Sequence, residues 1–328
     1  MNKPPLRRAL GHTLLTRSLL ACLLSLAGLA PVAAQDNTLR VIVPYPPGGA
    51  SDSSARIIAT ELGQRLKRTV VVENRVGAGG RVAMQYMRAL PAEADALVFV
   101  NPALMTLVPN LVSQPGYDAD ADFQPVSQVS QYQFVLAVPA NHPATTVQAL
   151  LDWIRANPEK GNFGVPANGS IPHFFALMIG EAAKVKSTVI GYKGSAPLAT
   201  DLIGGHISIA VDTLDSMVAH HQAGRLRILA TSAERRILDS VPTLKEAGLP
   251  LSATGWNAAY AKASMPSERV ALYSREIAAI MQQPEVREKF VQMKAEPISA
   301  DAARTRATVE AFKAQWVPVI RASGVKLD

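Results

Sequence analysis

Four short turns rich in glycine, serine and asparagine each follow a β-branched run and precede a helical pattern, and they concentrate the chemistry of this sequence. They are residues 44–52 (with Gly48, Gly49, Ala50, Ser51 and Asp52), 74–81 (opened by Asn74), 167–172 (with Asn168, Gly169 and Ser170) and 192–197 (opened by Tyr192). A turn that starts a helix leaves backbone N–H groups without intrahelical partners at the positive end of the dipole, where a carboxylate or phosphate binds. Glycine lets a ligand approach the backbone, while Ser51, Asp52 and Ser170 also suit the simpler task of capping a helix. Capping explains any one of these turns; four together describe a binding cleft.

Other groups offer weaker chemistry. Asp212, placed at the end of a strand expected over 207–211, would face a ligand crevice, or would serve to cap the next helix through Thr213 or Asp215. Ser170 and His173 raise a hydrolase, yet no carboxylate is placed behind the histidine. His220 and His221 are adjacent and point about 100° apart on a helix, so they do not form a same-face metal pair. Residues 77–82 begin like a dinucleotide fingerprint, but Val82 stands where its third glycine belongs. No cofactor and no metal are expected.

These turns need strands and helices to hold them. Strands are expected at 39–43, 69–72, 96–100, 134–138, 163–165, 188–192, 207–211 and 226–231, with helical stretches between most of them. That alternation predicts an α/β fold with mainly parallel sheets. The tail reads as three helices over 267–282, 284–295 and 299–322, with Val270, Tyr273, Ile277 and Ile280 forming an apolar face on the first. Strand-like segments at 134–138 and 256–262 lack an obvious surface turn after them and are candidate crossovers between two domains.

The 328 residues are 48% apolar, 18% charged and 5% aromatic, which is ample for a globular core. Lys3, Arg7, Arg8 and Arg17 precede an apolar run over 19–30 and then Pro31, Val32, Ala33 and Ala34, the pattern of a secretory signal peptide cleaved after Ala34. Cys22 also permits a lipoprotein-site reading, and Arg7 with Arg8 a twin-arginine one. Removing residues 1–34 lowers the formal charge from +7 to +3, and the remaining Lys and Arg are scattered, so nucleic-acid binding is not expected. Cys22 is the single cysteine, so the processed chain has no disulfide, thiolate metal site or cysteine nucleophile. Export without disulfides suits a bacterial periplasm.

The same turns carry a family resemblance. Residues 43–49 (VPYPPGG) with Asp52, Ala55 and Arg56, then 72–75 (VENR) with 77–80 (GAGG), open the series. Tyr117-Asp118 with Asp122-Phe123, 192–197 (YKGSAP) with Asp201, and 241–243 (VPT) with 246–248 (EAG) and Gly255-Trp256 continue it. In this order and spacing the chain resembles a periplasmic solute-binding receptor of the tripartite tricarboxylate transporter family, the Bug-type receptors of Bordetella and its relatives. The resemblance implies a type II-like periplasmic binding protein fold: two α/β lobes joined by two crossover strands, with the ligand between them. The limits expected here are 35–134 with 257–328 for the first lobe and 135–256 for the second.

The resemblance further implies that a ligand carboxylate is held by Gly48, Gly49, Ala50 and Asp52 on one lobe and by Asn168, Gly169 and Ser170 on the other. Asn74, Asn101, Tyr192 and Asp212 complete the implied ligand-binding set. The chain departs from the family pattern at Val76, at Arg81 and over 257–262. The expected function is a monomeric, non-enzymatic receptor that closes on a small organic carboxylate or related amide and delivers it to membrane transporter subunits or a periplasmic sensor. The alternative is a secreted α/β hydrolase or transferase using Ser170 and His173.

Overall fold

A computed structural model describes Met1, residues 38–48 and residues 50–327; the expected signal peptide, with Cys22, and Gly49 lie outside the described residues. β1 (Leu39–Val43) buries apolar side chains on both faces, with Arg40 the one charged residue among them. Leu39, Val41 and Val43 join one buried cluster and Ile42 another. It pairs in parallel with β2 (Val70–Asn74) and β3 (Ala96–Val100). The connecting helices are α1 (Ala50–Leu66), which buries Ala55, Ile58, Ala59 and Leu62 along one face, and α2 (Arg81–Ala89), which buries Ala83, Met84 and Met87.

After β3, a π-helical turn (Ala103–Leu107) and the short α3 (Val108–Leu111) lead into β4 (Phe123–Pro139), a strand of 17 residues. From Phe123 to Gln133 it pairs antiparallel with β9 (Thr254–Lys262). From Phe134 onward it pairs with β7 (Ile209–Thr213) and β8 (Leu226–Thr231). β4 therefore belongs to both halves of the sheet and changes partners between Gln133 and Phe134.

The second half adds α4 (Val147–Ala156), β5 (Asn162–Val165), α5 (Ile171–Ala183), β6 (Thr188–Gly191), α6 (Ser195–Ile203) and α7 (Leu214–Gln222). The chain ends with α8 (Ser267–Ile280), α9 (Pro284–Gln292), the two-residue β10 (Glu296–Pro297) and α10 (Ala302–Ala322). The strand order is β2-β1-β3-β9-β4-β7-β5-β6, with β8 and β10 also on β4. The result is a two-lobed α/β protein. Among the described residues no helix is long and apolar enough to cross a membrane.

Two expectations need correction. The sheet is mixed rather than mainly parallel: β1–β2, β1–β3, β5–β6 and β5–β7 are parallel, and every antiparallel pairing involves β4 or β9, which run against their neighbours. Asp212 does not follow its strand but lies inside β7, paired opposite Val135 of β4.

Candidate functional site

A cavity of about 170 Å³ lies where elements of both halves of the sheet meet. Its walls are Ser51 and Ser54 in α1, Asn101 after β3, Tyr132 in β4, Thr213 and Asp215 at the β7–α7 junction, Asn257 in β9, and residues 293–295 before β10. Its size is below the roughly 300–1,000 Å³ of drug-sized sites, which suits a ligand of few heavy atoms.

Two linked sets of neutral groups, around Asn257 and around Asn101, make up part of its polar surface, beside the charged Asp215 and Lys294. The Ser51 hydroxyl donates to Asn257 Oδ1 at 3.1 Å, and Asn257 Nδ2 donates to Ser130 Oγ at 3.1 Å. Asn101 Oδ1 accepts from the Tyr45 hydroxyl at 2.8 Å and from Ala103 N at 3.0 Å, fixing the amide so that its Nδ2, with no partner among the described residues, is the group left for a ligand. Burial pushes the Tyr45 hydroxyl well above its usual range, so it stays a neutral donor to Asn101. Burial does the same to Tyr132, which lines the cavity.

Behind this wall the first loop is braced from within. Asp52 is buried, and its Oδ2 accepts from the Gly48 N–H at 2.8 Å and from Arg56 Nε at 2.9 Å. Asn74 Nδ2 donates to Asp52 Oδ1 at 2.8 Å and to Tyr45 O at 3.0 Å, while Asn74 Oδ1 accepts from Arg56 Nη2 at 2.9 Å. Asp52 and Asn74 thus hold the loop's shape, and the Gly48 N–H is committed to Asp52. The N–H groups of the first turn of α1, from Ala50 onward, have no acceptor within the helix. Gly48 has φ +87°, the left-handed region, which glycine adopts without strain.

On the opposite side, Asn168 is exposed and Gly169 is buried with φ +72°. Gly169 sits against Leu327 and Leu111, and its N–H donates to His173 Nδ1 at 3.1 Å. Ser170 caps α5: its Oγ donates to Ala167 O at 2.7 Å and accepts from His173 N at 3.3 Å. The Tyr192 hydroxyl donates to Asp201 Oδ2 at 3.0 Å, and its ring packs with the cluster around Leu198. None of these four residues lines the 170 Å³ cavity; Asn101 does. Arg81 folds back on its own turn, with Nε donating to Ala78 O at 3.1 Å.

Asp212 is buried directly behind the cavity wall formed by Thr213. Its Oδ1 accepts from Thr213 N at 2.7 Å, and its Oδ2 has no hydrogen-bond partner among the described residues. Burial pushes its pKa up to about 7, opposed by the nearby Ser195 hydroxyl and the Thr213 N–H and reinforced by the charge of Asp215.

Over residues 54–325 the chain matches the model of the tripartite tricarboxylate transporter family receptor. It belongs to that family. It is 30% identical to the protein BugT of Bordetella pertussis over 91% of this chain and 94% of that one. Among solved structures, an R. palustris protein with adipate has 30% identity and a TM-score of 0.77, covering 88% of this chain and 98% of that one. The periplasmic binding protein BugD has 25% identity and a TM-score of 0.72, covering 88% and 98%. As a family receptor the chain is a periplasmic solute-binding protein and not an enzyme. The hydrolase alternative falls with this, and its residues agree: the Ser170 hydroxyl donates to Ala167 O, and His173 Nδ1 accepts the Gly169 N–H.

Ser51, Ser54, Tyr132, Thr213, Asp215 and Asn257 were not in the set read from sequence. Ser51 and Asp215 carried a signal, as helix-start residues, and Asn257 as the start of the departing 257–262 segment. Tyr132 carried none, because it sits in the polar half of a strand that has no apolar alternation.

Proposed function

We propose that the protein captures one small carboxylate, or a related amide, in the cleft between its lobes, closes on it by a hinge motion, and passes it to the membrane subunits of a tripartite transporter or to a sensor. The observation that carries this reading is the cavity itself. Ser51 and Asn101 come from elements on β1 and β3, Thr213 and Asp215 from the end of β7, and a ligand between them contacts both lobes at once. The carboxylate would sit against the first turn of α1 and the free amide of Asn101. Asp52 and Asn74 would hold that loop, and Asp212 would support Thr213 from behind. The relative solved with adipate supports the ligand class.

The proposed lobe limits, 35–134 with 257–328 and 135–256, draw support from the change of partners in β4 between Gln133 and Phe134. Cleavage after Ala34 would release the receptor, acting as a monomer, into the periplasm. Native mass spectrometry of protein freshly isolated from periplasm, followed by denaturation, tests the reading. The expected result is one small acid or amide per chain, recovered chemically unchanged. Protein that carries none and converts an added acid to a product would overturn it.

A further inference from the structure

The two halves of the sheet are joined in two different ways. At α10 they are packed together: Phe312 stands edge-on to Trp256 of β9, with centroids 6.2 Å apart, and Trp316 lies against Phe175 of α5, also at 6.2 Å. These rings belong to one buried cluster that runs through both halves. Away from α10, a groove of about 650 Å³ lies between them. Leu214, Val218 and residues 235–238 line it from the second half, and residues 287–297 of α9 and β10 supply the wall of the first.

Arg235, after β8, and Glu296, in β10, reach across this groove. Arg235 Nη2 pairs with Glu296 Oε1 at 3.5 Å, while Glu296 Oε2 accepts from Gln131 Nε2 at 2.7 Å and from Gln133 Nε2 at 3.4 Å. Those glutamines stand at the end of the stretch of β4 that pairs with β9, and from Phe134 the strand pairs with β7 and β8. The bridge is therefore anchored where β4 passes from one half to the other. By contrast, the pairs of Arg236 with Glu246 at 3.0 Å and of Arg65 with Glu276 at 2.8 Å each stay within one half. The ligand cavity adjoins the bridge: Tyr132, between the two glutamines, and Lys294 and Ala295, just before Glu296, all line it.

A close-packed cluster resists rearrangement, whereas an open groove crossed by an exposed ion pair yields to it. Motion of one half against the other then pivots near α10 and changes the width of the groove, and the pair that spans it is made in one arrangement and broken in the other. We propose that Arg235 and Glu296 form a latch that favours the arrangement in which both halves line the ligand cavity. This rests on the reading of the cleft as a hinged receptor and names the pair that biases its hinge.

The test is the distance between spin labels carried by Gln64→Cys in α1 and Glu181→Cys in α5, both exposed positions, in protein isolated from periplasm and stripped of solute by unfolding and refolding. Two distances are expected, one for each arrangement. Glu296→Gln keeps an acceptor for Gln131 and removes the charge, and it should shift the ratio of the two populations about two- to fivefold away from the latched one, the scale of an exposed ion pair. Arg235→Gln should shift it equally, and the double variant no further than either alone. Sodium chloride at about 1 M should move the unsubstituted pair but not the variants. Arg236→Gln, which breaks a pair inside one half, should leave the ratio unchanged, and melting curves confirm that all the variants are folded. A ratio indifferent to Glu296→Gln, or moved as far by Arg236→Gln, overturns the latch and leaves the receptor to be judged by the solute it carries. A single distance in every protein contradicts the latch and hinge closure together.

Discussion

Asn74 Nδ2 donates to Asp52 Oδ1 at 2.8 Å, tying the end of β2 to the first turn of α1. With the Gly48 N–H and Arg56 on the other carboxylate oxygen, this bond makes the first loop a closed hydrogen-bonded unit before any ligand arrives. The side chains of Asp52 and Asn74, given by resemblance as ligand contacts, are in this geometry hydrogen-bonded within the loop.

Removing those bonds should cost stability as well as affinity. Asp52→Ala leaves the part-buried bonds of Asn74 and the Gly48 N–H without their acceptor, a loss of about 1 kcal/mol. Urea unfolding at pH 7 measures it, and an unchanged midpoint would mean that the brace is idle.

Acid should act through the same carboxylate. Burial alone would raise the pKa of Asp52, but Arg56, the Gly48 N–H and Asn74 outweigh it and hold the group below its ordinary value. A depressed folded-state pKa gives stability that is present above about pH 4 and lost as pH falls through the folded value. Wild-type stability should therefore drop more steeply than that of Asp52→Asn as pH falls below about 4.

Asp212 should behave with the opposite sign. Its pKa is raised to about 7 by burial, so between about pH 4 and 7 the folded state holds a proton that the unfolded state has released, and stability falls as pH rises. Asp212→Asn keeps an acceptor for Thr213 N and removes the ionisation. It should stabilise the protein by about 1–3 kcal/mol at pH 8 and change little at pH 4. Equal effects at both pH values would contradict this assignment.

Gly255 lies against the Tyr132 ring, which lines the cavity. A Cβ at Gly255 would overlap the Tyr132 ring, which also packs edge-on against Phe134 with centroids 5.9 Å apart. Gly255→Ala should push the ring into the cavity, costing about 1–3 kcal/mol of stability and more than tenfold in affinity. Gly48→Ala gives the contrast. Its φ of +87° makes a side chain cost about 1 kcal/mol, but nothing lies within 4 Å, so the fold should survive while binding weakens.

Much of this was legible in the residues. β1, β3 and β8 are short aliphatic runs whose limits follow from composition, while of the four helix-start turns only the first reaches the cavity wall, through Ser51. The first half of β4 was not legible. Gln124, Ser127, Gln128, Ser130 and Gln131 interrupt any apolar pattern, yet Ser127 and Gln128 are buried and satisfied by distant partners. Ser127 Oγ donates to Ala300 O at 2.6 Å, and Gln128 N donates to Thr305 Oγ1 at 2.8 Å. Those partners lie more than 170 positions away along the chain, so no local pattern reveals the strand, nor the place of Tyr132 on the cavity. The sites of Tyr192 and Asp212 differ for a related reason. A partner for the Tyr192 hydroxyl at Asp201, and a strand extended to Thr213 by its pairing with β4, are products of tertiary structure.

The account stands or falls on saturable binding of a small acid in the cleft. The most direct measurement is a thermal-shift titration of the refolded protein with a panel of small carboxylates, amino acids and amides, repeated with Asn101→Leu. One chemical class should raise the melting temperature saturably, by about 4 kcal/mol of added stability at a thousandfold excess over Kd, and the shift should collapse in the variant. No shift across the panel, or a shift of equal size in Asn101→Leu, would contradict the assignment of this cavity as the receptor site.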